Sequence, residues 1–349
     1  MIFSLQACSS QSESAAKNWS TECVGRMQFQ LPGYVYPAAT FNSKVSSFRL
    51  GSAIEKPTFP DGTPAHLANS YLVSHPLTAD EKKRFIEFAL AEGTEVTGTS
   101  PSGEKVFRFR RGFTESRTSD GGVIRRYPGS IWGTIFVGDN LIRFGPSIEV
   151  AERLLKAVPR PVFDVPKVPG LCMPYVFVPD DGMPKRNLSM SYRLKDHPDI
   201  QVTLTDASAF KPEQLLSMGG MSDAEVKLRN KNAEPESEIA GFWHLALNEA
   251  RKYESLWLLP TTTKPVTLAG YEGRQSFVRL TMDDGSQSYG YYAVVRGNPK
   301  AAEDVPDIRL HVLQDVRLAQ GRTPLNQDQF IEMAQAIAKS VQRRPTVAQ

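Results

Sequence analysis

A serine hydrolase needs Gly-x-Ser-x-Gly at a strand-to-helix turn, so that the hydroxyl stands exposed beside oxyanion donors. The nearest string is Gly129-Ser130-Ile131-Trp132-Gly133, where Ser130 directly follows the first glycine. The residues after it read as strand, so Ser130 reads as a loop serine. No GxxxxGK[ST] loop cradles a phosphate and no GxGxxG opens a helix. The five histidines, His66, His75, His197, His244 and His311, are scattered, and His75 and His197 each precede proline, which argues for loops. His244, in Gly241-Phe-Trp-His-Leu245, reads as a partly buried structural histidine. No CxxC, HxxxH or HExxH spacing gathers metal ligands. These residue types form no reactive constellation, so the expectation is a protein that is not an enzyme and carries no metal or cofactor.

The three cysteines pose separate questions. Leu5-Gln6-Ala7-Cys8 has the shape of a bacterial lipoprotein processing site, with a small residue before the thiol and a Ser-rich tether, Ser9 to Ala16, after it. The apolar segment before Cys8 is only Met1 to Leu5 and no basic residue precedes it, so either the true start lies upstream or Cys8 is a stray cysteine in an N-terminal tail. Cys8 is the lipidation candidate, and it implies a periplasmic protein, with outer-membrane anchoring by analogy with lipoprotein sorting. Cys23 and Cys172 are then an even pair in an oxidising compartment. They are a disulfide candidate, and two separately buried thiols fit the spacing equally.

Composition narrows the partner. Hydrophobic residues make up 40% and charged residues 23%, a globular balance, and net charge is +3. That balance argues against nucleic acid and against a membrane surface as partners, leaving a lipid anchor as the membrane contact. Arg108, Arg110, Arg111, Arg125 and Arg126 are interspersed with Glu104, Glu115 and Asp120, and read as the solvated face of a sheet.

The elements that must position any site are mostly strands. Met27, Phe29 and Leu31 alternate with Gln28 and Gln30, a half-buried strand stopped by Pro32. Further strands are read over 105–110, 131–137, 188–194, 200–205, 275–281, 290–295 and 308–313. Helices are read over 79–92, 148–158 and 223–229, and a last one follows Asn326, with Gln329 completing its capping box. Four prolines between Val158 and Gly170 deny regular structure and mark a connector. The expected class is α+β, with two domains of mainly antiparallel sheet and a few packed helices. Their expected bounds are a signal and tether over 1–17, then 18–165 and 166–349.

Several strings together resemble a known family. Cys23-Val-Gly-Arg26 running into Leu31-Pro32, Gly170-Leu-Cys172, and Pro324-Leu-Asn-Gln-Asp-Gln-Phe330 to Ser340-Val-Gln-Arg-Arg-Pro345 resemble the lipase-immunity proteins of bacterial type VI secretion systems, the Tli family. The branch is the one paired with the fourth class of secreted phospholipase effectors. One departure is Met173-Pro-Tyr175 after Cys172, where the family's strand often begins with glycine. The resemblance implies a periplasmic protein that binds a cognate lipase effector and blocks its active site or lid, without catalytic residues or cofactor. The competing readings are a periplasmic lipoprotein of scaffold or envelope-binding role and a hydrolase with an unfamiliar site.

Partner-binding candidates are the acidic turns Asp180-Asp181 and Asp283-Asp284 and the segment holding Glu234, Glu236 and Glu238. Acidic loops steer a basic partner surface, although each also reads as an ordinary solvated turn. The anchor is directly testable. Cys8→Ser, expressed with its native leader, should move from membrane to soluble fractions. Unchanged fractionation and no lipid mass on the N-terminal peptide would contradict it.

Overall fold

The computed structural model describes residues 19–39, 57–65, 72–91, 95–99, 105–109, 114–117, 123–126, 132–144, 153–179, 182, 186–209, 234–250, 253–282, 284–301 and 304–345. The chain enters as a tight antiparallel hairpin, β1 (Trp19–Val24) and β2 (Met27–Pro32), followed by the short β3 (Val35–Pro37). The period-2 pattern of β2 holds: Met27, Phe29 and Leu31 are fully buried while the glutamines face outward.

The next stretch forms a sheet of its own. Its elements are β4 (Leu72–Val73), helix α1 (Ala79–Ala91), β5 (Glu95–Thr99), β6 (Lys105–Phe109), a separate hairpin of β7 (Thr114–Arg117) and β8 (Val123–Arg126), then β9 (Trp132–Val137) and β10 (Asn140–Phe144). The five-stranded order is β4-β10-β9-β6-β5. Helix α1 begins at Thr78, whose hydroxyl accepts from the Glu81 amide while Glu81 accepts from the Thr78 amide. Phe85 of α1 is buried edge-on against Phe136.

The remaining strands are β11 (Val158–Pro159), β12 (Gly170–Met173), β13 (Val176–Pro179), β14 (Asn187–Leu194), β15 (Ile200–Ala207), β16 (Tyr253–Leu268), β17 (Tyr271–Met282), β18 (Gln287–Val295), β19 (Asp307–Gln314) and β20 (Gln342–Arg343). Helices α2 (Pro235–Ala250) and α3 (Gln327–Ser340) accompany them. Helix α3 starts with the expected Asn326–Gln329 capping box.

The principal sheet has seven strands in the order β16-β17-β18-β19-β15-β14-β3. Its centre is apolar on both faces. Phe277, Tyr291, Ala293 and Val295 enter the main core, which α3 closes with Phe330, Met333, Ala334 and Ile337. Val278, Leu280, Tyr292 and Val294, one residue out of step, meet α2 through Ile239 and Trp243. Gly290 makes room for that contact, since a Cβ there would lie 2.6 Å from the Trp243 ring. The Trp243 indole donates to Ser276 at 2.8 Å.

Mainly antiparallel sheets with a few packed helices match the expected α+β class. Strand pairing also crosses position 165/166. β3 completes the seven-stranded sheet by pairing with β14, and β20 pairs with β2. Val73, Ile135 and Ile142 share one core with Leu204, Val312 and Phe330. Residues 19–37 therefore pair with strands from beyond 165, because their unpaired edges and apolar faces are satisfied there. The helix read over 148–158 also changes: only 153–154 are helical among its described residues, and Val158 is an exposed strand residue. The helix read over 223–229 lies outside the described residues.

Two interactions that fix this arrangement can be measured. Cys23 and Cys172 are disulfide-bonded across 149 positions, with Cα atoms 5.5 Å apart. The double variant Cys23→Ala/Cys172→Ala should lose about 5 kcal/mol of unfolding free energy on the loop-closure model. An unchanged denaturant midpoint would contradict that. On α2, Glu238 accepts from Tyr292 Oη at 2.6 Å and pairs with Arg309 and Arg296. Burial pushes its carboxyl up, but the two guanidiniums and the hydroxyl outweigh it and hold it below 4.5. A depressed carboxyl contributes stability above its unfolded pKa, lost as pH falls through its lower folded value. Glu238→Gln should lower stability at neutral pH by about 2 kcal/mol and flatten the acid limb of the pH–stability curve. An unaltered acid limb would contradict the assignment.

Candidate functional site

The strings that carry the resemblance, far apart in sequence, meet at one junction. On β1, Glu22 is fully buried, and a buried carboxylate needs donors. Arg160 supplies two in fork geometry, Nη1 to Oε1 at 3.1 Å and Nη2 to Oε2 at 2.9 Å. The Phe163 amide donates at 2.6 Å and the Tyr192 hydroxyl at 3.1 Å. Burial, then the Glu22 charge, pushes the Tyr192 hydroxyl far above its ordinary range. Burial lowers Arg160, and Glu22 more than reverses this, so the guanidinium stays charged.

One residue on, Cys23 bonds Cys172, and Gly25 and Cys172 exchange backbone hydrogen bonds at 2.8 and 2.9 Å. Gly25 takes a φ of +58°, and a Cβ there would lie 2.3 Å from Asp206 Oδ2. That oxygen accepts from the Arg26 amide and from Arg186 Nε, each at 2.7 Å. The glycine of Cys23-Val-Gly-Arg26 is thus required by both backbone and neighbour.

The C-terminal tail closes the junction. The Arg344 amide donates to the Arg26 carbonyl at 2.8 Å. Its guanidinium donates to the carbonyls of Gly170 (2.8 Å), Pro166 (2.6 Å) and Val168 (3.1 Å) and lies over the Phe177 ring. Asp304 gathers Arg26, Arg186 and Arg343 at 3.0, 2.8 and 3.2 Å. The carboxylates of Glu22, Asp206 and Asp304 are each paired with guanidiniums, and through them the arrangement positions backbone.

What it positions is the outer face of the connector, 158–169. Phe163, held by Glu22, takes a left-handed φ of +69° and turns its ring onto Tyr34, 5.0 Å away, which in turn meets Tyr36 at 5.5 Å. The Lys195 amide donates to the Tyr34 carbonyl, and its ammonium lies 5.6 Å from the Tyr34 ring. Elsewhere, an open groove of about 950 Å³ runs along α3, lined by Trp19, Pro32, Val266, Leu325 and Met333 among others.

The acidic candidates among the described residues have different settings. Cys8, Asp180, Asp181 and Asp283 lie outside the described residues. Glu234 is exposed just ahead of α2. Glu236 pairs with Arg274 at 2.7 Å. Glu238 is no solvated loop acid; it lies in the first turn of α2 within the Arg296–Arg309 network. Asp284 closes its own turn on Ser286, through the amide and hydroxyl. His244 is exposed, contrary to expectation, and the buried histidine is His311, edge-on to Tyr292 and Phe242. Glu22, Arg160, Asp206 and Arg344 escaped sequence reasoning as functional residues, although Arg344 lies inside a string already singled out. No group of three or more potential metal ligands occurs among the described residues.

Residues 164–235 match the family model of the Tle cognate immunity protein 4 C-terminal domain. No curated protein sequence matches. Among solved structures, the chain is similar to the immunity protein TplEi of the type VI secretion system of Pseudomonas aeruginosa, complexed with a peptide called "L". The TM-score is 0.51 at 13% identity, covering 95% of this chain and 99% of that one. It is similar also to a chain of the Tle4-Tli4 complex, with a TM-score of 0.50 at 12% identity, covering 94% of this chain and 98% of that one. These structures share the fold along nearly the whole length, and the family model that matches residues 164–235 is of the branch that the sequence motifs resemble.

Proposed function

We propose that this chain is an immunity protein that binds a cognate type VI secretion phospholipase effector in the periplasm and neutralises it by covering its active site or lid. The observation that carries the reading is the domain match over 164–235. That segment supplies Gly170, Cys172 and Asp206 to the junction and β14 and β15 to the middle of the main sheet. A solved structure with the same fold is a chain of the Tle4-Tli4 complex. The disulfide between Cys23 and Cys172 supports residence in an oxidising compartment, with Cys8 as the anchor to the outer membrane.

Neutralisation by occlusion needs no bond to be made or broken in the inhibitor, and therefore no catalytic residue. It needs a rigid face that loses little conformational entropy on docking, and the junction supplies rigidity. Protection at low periplasmic concentrations requires a nanomolar Kd or tighter, about −12 kcal/mol.

The test is stoichiometric. Phospholipid hydrolysis by the product of the neighbouring lipase gene is titrated with this protein. Activity should fall linearly to zero near one equivalent. Full activity in micromolar protein, with no complex on a sizing column, would contradict the function for that pair.

A further inference from the structure

Three large hydrophobic side chains are exposed among the described residues: Tyr34 at 49%, Val158 at 42% and Val168 at 57%. All three belong to the connector or pack on it. Val158 opens it, Val168 lies near its end, and Tyr34 meets Phe163 edge-on in its middle. Isolated exposed hydrophobics are ordinary, but their confinement to one short strip marks an interaction surface. The strip is also fixed before any partner arrives. Glu22 holds Arg160 and the Phe163 amide, and Arg344 holds the carbonyls of Pro166 and Val168. Rigid aromatic anchors of this kind dominate protein interfaces.

Charge indicates what the strip meets. Lys167 adjoins Val168 and Lys195 lies over Tyr34, and both are exposed. Neither makes an ion pair among the described residues. Asp164 is the only acidic residue within 158–169. The acids expected to steer a partner are instead occupied within the fold where described, Glu236 by Arg274 and Glu238 by Arg309. An enzyme that takes acyl chains from a membrane must itself present apolar surface where they enter. Val168, Lys167 and Lys195 fall inside the segment that matches the immunity-protein domain.

We propose that Tyr34, Phe163 and Val168, bordered by Lys167 and Lys195, form the surface that seats the phospholipase effector, against an apolar patch of that enzyme rimmed by carboxylates. This rests on the immunity reading and names its contact face. The exposed Tyr34 ring enters the apolar patch, Phe163, itself packed against the main core, holds that ring in place, and the two ammonium groups meet the rim.

The probe is the purified product of the neighbouring lipase gene, with the full chain as titrant. Tyr34→Ala, Val168→Asp and Lys195→Glu alter exposed side chains and should leave Tm unchanged. Phe163→Gly removes the ring at a position whose left-handed φ glycine adopts freely. Tyr34→Ala, Val168→Asp and Phe163→Gly should each raise Kd at least tenfold, and the loss for Lys195→Glu should shrink as salt rises. Wild-type binding together with unchanged Kd for Tyr34→Ala and Val168→Asp would overturn the surface and leave the immunity function standing. Absence of wild-type binding at micromolar concentration would overturn the function and the surface with it.

Discussion

Glu22 is a carboxylate without solvent contact, and the fold is arranged around answering it. Leaving such a charge unpaired costs several kcal/mol, so its donors must come from wherever the chain can bring them. Arg160 and the Phe163 amide come from the connector and the Tyr192 hydroxyl from the main sheet. The disulfide one residue away then ties β1 to β12 covalently. The two constraints reinforce each other: the bond restricts where β1 can sit, and the carboxylate dictates the path of the connector past it.

From this junction the architecture follows. With β1 and β2 pinned, β3 reaches the free edge of β14 and β20 that of β2, so chain from both ends is woven into the same sheets. Arg344 seals the weave by donating to three carbonyls of the connector and of β12. The connector, which proline keeps out of helix and inner strand, becomes a strap bonded on its inner side that exposes Val158 and Val168 on its outer side. A strap so held has an outer face whose conformation is set by folding.

Local structure was legible in the sequence where one residue's fate depends on near neighbours. The alternation of Met27, Phe29 and Leu31 read as a half-buried strand, and Asn326 with Gln329 read as a cap, and both are observed. Strands over 200–205 and 308–313 were read within slightly longer elements. Long-range pairing was not legible. Nothing near Glu22 reveals that its partner is Arg160, 138 residues on, and nothing near Glu238 reveals Arg309, 71 residues on. Acidic residues therefore read as solvated when some were buried among guanidiniums. The four prolines between Val158 and Gly170 suggested two separate units. The cysteines instead bond to each other and the halves interlock. The resemblance strings marked the right residues, Gly25, Cys172 and Arg344, without showing that they touch.

The central claim is that both ends of the chain form one cooperative body closed at the Glu22–Cys23 junction. Amide hydrogen exchange of the oxidised protein tests it most directly. The account predicts that amides of 19–32 and 342–343 open with the same free energy as those of 200–207 and 307–314 in the main sheet, through global unfolding. Rapid exchange of the N-terminal hairpin through a low-energy opening, while the main sheet stays protected, would contradict it.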